Sequence, residues 1–204
     1  MNTLGLIDIG ANITHPQLHN QIDKVVENMK AQNINKAIIT SSNLKDTKTA
    51  LDIINVYPEI FYTTVGFHPH NAKDFVHENI NSIIEYSKNK KVLAIGECGL
   101  DYYREYSTRE EQLLCFEEQL KIAKSTCLPI FLHERKAHDD FVVMLKKYIL
   151  EIERSVVHCF TGTKNELKAY LDMGCYIGIT GWISDLNRGK HLHDLIKYIP
   201  EDRL

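Results

Sequence analysis

The sequence predicts a parallel α/β protein whose strands curl into a barrel of the (β/α)8 type, and three observations carry that reading. Strand-like apolar runs alternate with segments of helical period along the whole chain, and a helix between two strands supplies the crossover that parallel pairing needs. Acidic and imidazole side chains stand at the exits of several strands, whereas an open doubly wound sheet gathers its site at one switch point, and no GxGxxG turn follows the first strand. The chain has 204 residues, enough for one sizeable core yet short of the ~250 of a typical barrel. The strand-like runs number seven, so the barrel is expected to lack its last strand-helix unit.

Leu4 to Ile9 is the first strand-like run, and Asn20 to Gln32 follows as a helix with Ile22, Val25, Val26 and Met29 on one face. Lys36 to Thr40 is the second strand. A helix from Leu44 to Val56 turns Ala50, Ile53 and Ile54 inward and stops at Tyr57-Pro58. Phe61 to Phe67 leads into His68-Pro69-His70, and a short helix near Ile80 to Tyr86 precedes the fourth strand, Val92 to Ile95, which meets Gly96-Glu97 and breaks into a glycine turn. The longest helix opens at Ser107 or Thr108, since both Ser107/Glu110 and Thr108/Glu111 have capping-box spacing, and runs to about Thr126. Leu128 to Leu132 ends at His133, His138 to Ile149 is helical, and Ser155 to Val157 ends at His158. Lys164 to Met173 is a helix closed by Gly174, Tyr176 to Thr180 is the seventh strand, and His191 to Ile199 is a last helix stopped by Pro200.

A composition of 44% hydrophobic and 25% charged residues describes an ordinary globular chain, and the net charge of -3 provides no general basic surface, so nucleic-acid binding would rest on a local patch or a metal. The N-terminus lacks a basic n-region followed by a long apolar core, and no run of 18 apolar residues occurs. A cytoplasmic protein without membrane contact is expected. The five cysteines are odd in number and show no CxxC spacing, which favours free buried thiols in a reducing compartment.

Glu97, His133 and His158 each stand at the exit of a different strand, and one carboxylate with two imidazoles makes a hard-to-borderline ligand set for a divalent cation. Any one of them alone is more often a salt-bridge partner or a hydrogen-bonded core residue. Three at successive strand exits point to a catalytic centre. By strand alternation, Glu97 and Ile95 face the barrel mouth while Gly96 and Cys98 face the helices, and Cys159 faces away if His158 faces in. A thiolate site is therefore disfavoured. Arg104, Arg135 and Lys164 follow strand exits and could meet phosphates, and Trp182 could stack on a base.

The stretches DIGANIT (Asp8 to Thr14), VGFHPH (Val65 to His70), IGECGLDY (Ile95 to Tyr102), FLHERKAH (Phe131 to His138), VVHCFTG (Val156 to Gly162) and IGITGW (Ile177 to Trp182) occur in the order and spacing of one family. Together they resemble the TatD family of metal-dependent hydrolases. The resemblance implies a TIM-like barrel and a divalent-metal phosphodiesterase acting on DNA, single-stranded by preference and digested from 3' to 5'. It also implies metal ligation by Glu97, His133 and His158, with His68 lining the substrate side of the site. The ion expected is Mg2+ or Mn2+, with Zn2+ admitted by the imidazole donors.

Two departures from the family pattern stand out. Gly10 and Asn12 take the places where many relatives carry a His-x-His pair, so a one-metal or weak two-metal centre is expected. The family also places a strand bearing a metal-binding aspartate after a stretch like Pro200 to Leu204. Residues 1-204 are accordingly expected to form a single, C-terminally incomplete hydrolase domain, prone to self-association where a complete barrel would be a monomer. The alternatives are a catalytically impaired paralogue, or a hydrolase of another ester or amide.

Overall fold

A computed structural model describes residues 5–187 and 189–204; Leu4, placed at the head of the first strand by its apolar pattern, lies outside the described residues. Seven parallel strands form one curled sheet in sequence order: β1 (Leu6–Ala11), β2 (Ile34–Ile39), β3 (Phe61–Val65), β4 (Val92–Asp101), β5 (Ile130–Arg135), β6 (Ser155–Val157) and β7 (Tyr176–Ile177). The strand order 1-2-3-4-5-6-7 with helices between is that of a barrel, here a curled half-barrel open between β1 and β7 among the described residues.

The helices are α1 (Pro16–His19), α2 (Ile22–Ala31), α3 (Leu44–Val56), α4 (Glu78–Ser87), α5 (Arg109–Thr126), α6 (His138–Lys146), α7 (Lys164–Asp172) and α8 (Leu192–Leu195). Thr108, rather than Ser107, caps α5. Its hydroxyl accepts from Glu111 N while Glu111 returns a carboxylate to Thr108 N, an arrangement worth about 1 kcal/mol. Thr163 and Glu166 repeat the box at the head of α7. The helix expected over His138 to Ile149 ends at Lys146 and gives way to a 3-10 turn at Ile149–Glu151, and the last helix divides into α8 and a 3-10 turn at Ile196–Tyr198. A further 3-10 turn, Pro69–Asp74, opens at His68, whose fixed-φ proline neighbour starts it.

The main correction concerns β4. Instead of breaking at Gly96, it continues for ten residues to Asp101, with a register shift against β5 between Gly96 and Cys98. Two glycines make this possible. A Cβ on Gly96 (φ +133) would stand 2.3 Å from the Phe131 carbonyl oxygen, and one on Gly99 (φ +141) 1.9 Å from that of His133. The shift also changes the facing of Ile95, which pairs with Ile130 and shares the helix-side core with Cys98, Phe116 and Leu120. Glu97 is the inserted residue of a bulge, and bulges re-aim one side chain without turning its neighbours.

The larger core packs α5 and α6 against β3 to β7, with Phe116 and Phe141 stacked at 5.3 Å, a pair worth about 1 kcal/mol beyond its buried area. A smaller cluster of Val26, Ile39, Ala50, Ile53 and Phe61 joins α2 and α3 to the first strands. β1 is unlike the inner strands, for Leu6 and Ile7 are 61% and 57% exposed. No described helix is long and apolar enough to cross a membrane.

Candidate functional site

On β4 one carboxylate oxygen gathers three imidazoles, from beyond β3 (His68), from β5 (His133) and from just past β6 (His158). Glu97 Oε1 lies 3.0 Å from His133 Nδ1, 3.1 Å from His158 Nε2 and 3.7 Å from His68 Nε2. Glu97 is buried at 7% exposure. Burial opposes its charge, but the His133 and His158 contacts outweigh it and hold the carboxyl well below the usual carboxylate range. Gly10 closes the floor: a Cβ there would lie 3.3 Å from His158 Nδ1 and 3.4 Å from the Phe131 ring.

Asp101 completes the arrangement and escapes sequence reasoning. It ends β4, is 1% exposed, and sets Oδ2 2.7 Å from His70 Nε2 and 3.4 Å from His133 Nε2. Its Oδ1 accepts from the backbone of Tyr103 and Arg104. Burial works against this charge too; the His133 and His70 contacts, aided by those two N–H groups, override it and keep the carboxyl ionised far below its normal pKa. His133 stands between two carboxylates as a result. Burial lowers its pKa and the Asp101 and Glu97 carboxylates raise it by more, up to about 9.

The donor set fits a divalent cation. His68, Glu97 and His133 offer ligand atoms all within 4.8 Å of one another, and His158 reaches the same Glu97 oxygen. Hydrogen bonding separates the roles of the imidazoles. His68 Nδ1 accepts from His70 N at 3.1 Å, and burial drives the His68 pKa down to about 3, so the neutral ring carries its proton on Nε2, the atom facing the site. In that tautomer the inward N–H is a hydrogen-bond donor; to act as a ligand the ring would carry its proton on Nδ1 instead. His133 has the opposite disposition: Nδ1 faces Glu97, while Nε2, buried and without a hydrogen bond among the described residues, faces Asp101. A ligating imidazole commonly turns its second nitrogen to a carboxylate in this way.

The other residues singled out in the sequence fall in three places. Arg135 and Lys164 border a neighbouring groove, Trp182 borders both that groove and the cavity of about 730 Å³ around Glu97, and exposed Arg104 borders neither. Arg104 donates instead to Tyr106 Oη at 3.2 Å. Cys98 is a buried packing residue, as alternation implies. Cys159 differs, since it borders the Glu97 cavity with its thiol 3.4 Å from Thr180 Oγ1. All five cysteines are free thiols, and Cys127, at the left-handed cap of α5, is exposed where a buried one is expected.

Residues 7–204 match the family model described as TatD related DNase. The chain is 39% identical over 199 residues to a protein of Erwinia tasmaniensis named 3'-5' ssDNA/RNA exonuclease TatD, covering 98% of this chain and 77% of the relative. A protein of the same name from Edwardsiella piscicida is 40% identical with 98% and 76% covered. Among solved structures, a hydrolase TatD family protein from Entamoeba histolytica superposes with a TM-score of 0.88 at 32% identity, over 99% of this chain and 72% of that one. An uncharacterized amidohydrolase from Saccharomyces cerevisiae gives 0.87 at 25% identity, over 99% and 74%.

Proposed function

This chain belongs to the TatD related DNase family, and from that premise we propose that it is a divalent-metal-dependent phosphodiesterase that removes nucleotides from the 3' end of single-stranded DNA or RNA. The observation that supports this most is the convergence of His133, His158 and His68 on one buried oxygen of Glu97. Glu97, His133 and His158 would hold the cation, and its imidazole share favours Mn2+ or Zn2+ over Mg2+ by donor softness. When bound, such an ion polarises the scissile phosphate and the attacking water.

The protein's own groups do the remaining work. His68 donates its Nε2–H to a phosphoryl oxygen, a contact that strengthens as negative charge develops there. Asp101 fixes the His133 ring and keeps its second nitrogen protonated. In this reading the chain is one hydrolase domain, and its β1 and β7 edges, uncovered among the described residues, make the isolated chain self-associate.

The test is digestion of oligodeoxynucleotides blocked at one end or the other, with Mn2+ and with excess EDTA. Release of mononucleotides from an open 3' end, stopped by EDTA and by Glu97→Ala, is expected. Cleavage that persists in EDTA, or that begins equally well from the 5' end, would contradict the proposal.

A further inference from the structure

A second groove of about 710 Å³ adjoins the Glu97 cavity, and Trp182 is a wall of both. Its cations and its acids are differently engaged. Glu134 is occupied on both oxygens, accepting from Ala137 N at 2.8 Å and from Tyr170 Oη at 3.0 Å. Glu166 caps α7, and Asp194 pairs with Lys197 at 3.5 Å. Two of its cations rest on aromatic rings: Arg135 lies 3.9 Å over Tyr103, and Lys164 lies 3.8 Å over Tyr198, while Lys136 is a third cation on the lining. Arg135 lies over Tyr103 and has no carboxylate within ion-pair distance among the described residues, and a guanidinium without a carboxylate partner retains N–H donors for a phosphate.

Position on the sheet gives this groove a defined relation to the centre. Arg135 is two residues beyond His133 on β5, on the same face of the strand and roughly 7 Å further along it. That step is comparable to the separation of neighbouring phosphates along a nucleic-acid backbone. The trough is thus lined by sparse cations and ring faces, the combination that holds single strands without reading their sequence.

We propose that this groove carries the body of the single strand, 5' to the scissile phosphate, with Arg135 on the next phosphate and Trp182 stacked on a base where the two cavities meet. The proposal rests on the nuclease reading for its direction, but strand binding is measurable without turnover. Trp182 is the chain's single tryptophan, so its emission reports on the groove directly.

The experiment has two arms. In the first, Glu97→Ala protein in EDTA is titrated with an oligothymidylate of about ten residues and, separately, with thymidine monophosphate. The oligomer should quench Trp182 emission and the mononucleotide should not, and adding Arg135→Ala should weaken oligomer binding about tenfold, the size of one lost stacking or phosphate contact. In the second, the ratio of kcat/KM for the oligomer to that for bis(p-nitrophenyl) phosphate should fall about tenfold in Arg135→Ala and in Trp182→Phe, through KM for the oligomer. Oligomer binding that leaves Trp182 emission unchanged, or variants that keep both the affinity and the ratio of the parent, would overturn the groove. A parent that binds the oligomer with quenching yet cleaves nothing would overturn the nuclease reading and support the groove.

Discussion

Asp101 Oδ2 lies 3.4 Å from Nε2 of His133, the nitrogen that points away from Glu97. The imidazole therefore lies between two carboxylates that the same strand supplies four residues apart. Asp101→Asn is expected to weaken metal binding about 10- to 100-fold without abolishing it, as loss of an outer-shell carboxylate does, and to move the acidic limb of the pH–rate profile. Competitive titration with a metal indicator measures the first, and an unchanged affinity would remove Asp101 from the site's working parts.

Exchange of single imidazoles should separate donor from ligand. His158→Ala and His133→Ala should lose metal on dialysis, seen by elemental analysis. His68→Ala should keep its metal and lose about 100-fold in kcat, since it removes one hydrogen-bond donor to the transition state. A His68→Ala protein stripped of metal would show that its Nε2 is a ligand after all.

The metal-free protein should lose stability in mildly alkaline solution. His133 has its folded pKa raised to about 9 from 6.5, so its contribution is fully present below pH 6.5 and disappears as pH rises through about 9. The Glu97 and Asp101 carboxyls, both lowered, are ionised throughout that window and add no slope. Urea midpoints of EDTA-treated protein should fall between pH 6.5 and 9 and fall less in a His133→Gln variant. The same linkage makes metal uptake near pH 7.5 release a proton, which calorimetry in buffers of different ionisation enthalpy detects.

Gly99→Ala is expected to destabilise the fold by about 3 kcal/mol or more, since it combines an unfavourable φ with a clash against backbone that cannot rotate away. Gly174→Ala, also at positive φ but with nothing within 4 Å of the added methyl, should cost only about 1 kcal/mol. Thermal melts of the two variants test whether close approach of β4 to β5, rather than φ alone, sets the cost.

Light scattering should find the chain self-associating, with β1 at the contact, because its Leu6 and Ile7 lie exposed beside an edge that no strand covers among the described residues. Ile7→Lys should return it to the monomer. A parent chain that is monomeric at all concentrations would argue that its edge is already protected.

Much of this was legible in the chain. Strand and helix order followed from period alone, and Glu97, His133 and His158 stood out because apolar runs stop on them. Asp101 stayed hidden because GLD after a Gly-Glu pair has the local signature of a turn; only the approach of β5, felt at Gly96 and Gly99, keeps those residues extended. The facing of Ile95 went the same way, since alternation holds within a regular ladder and fails at an inserted residue. His68 stood near the site in the sequence, yet the donor role proposed for it rests on the hydrogen bond from the His70 backbone N–H, which no spacing encodes.

The position of β4 and β5 in the sheet carries one last consequence. They are inner strands, paired on both sides, whereas β1 and β7 each pair on one side only among the described residues. Fraying starts where hydrogen bonds face water and works inward. Amide exchange should thus be fastest in β1 and β7 and slowest around Ile95 and Leu132. The floor formed by Gly10 would loosen long before Glu97, Asp101 and His133 part company, leaving those three side chains together in a molecule whose rim has already opened.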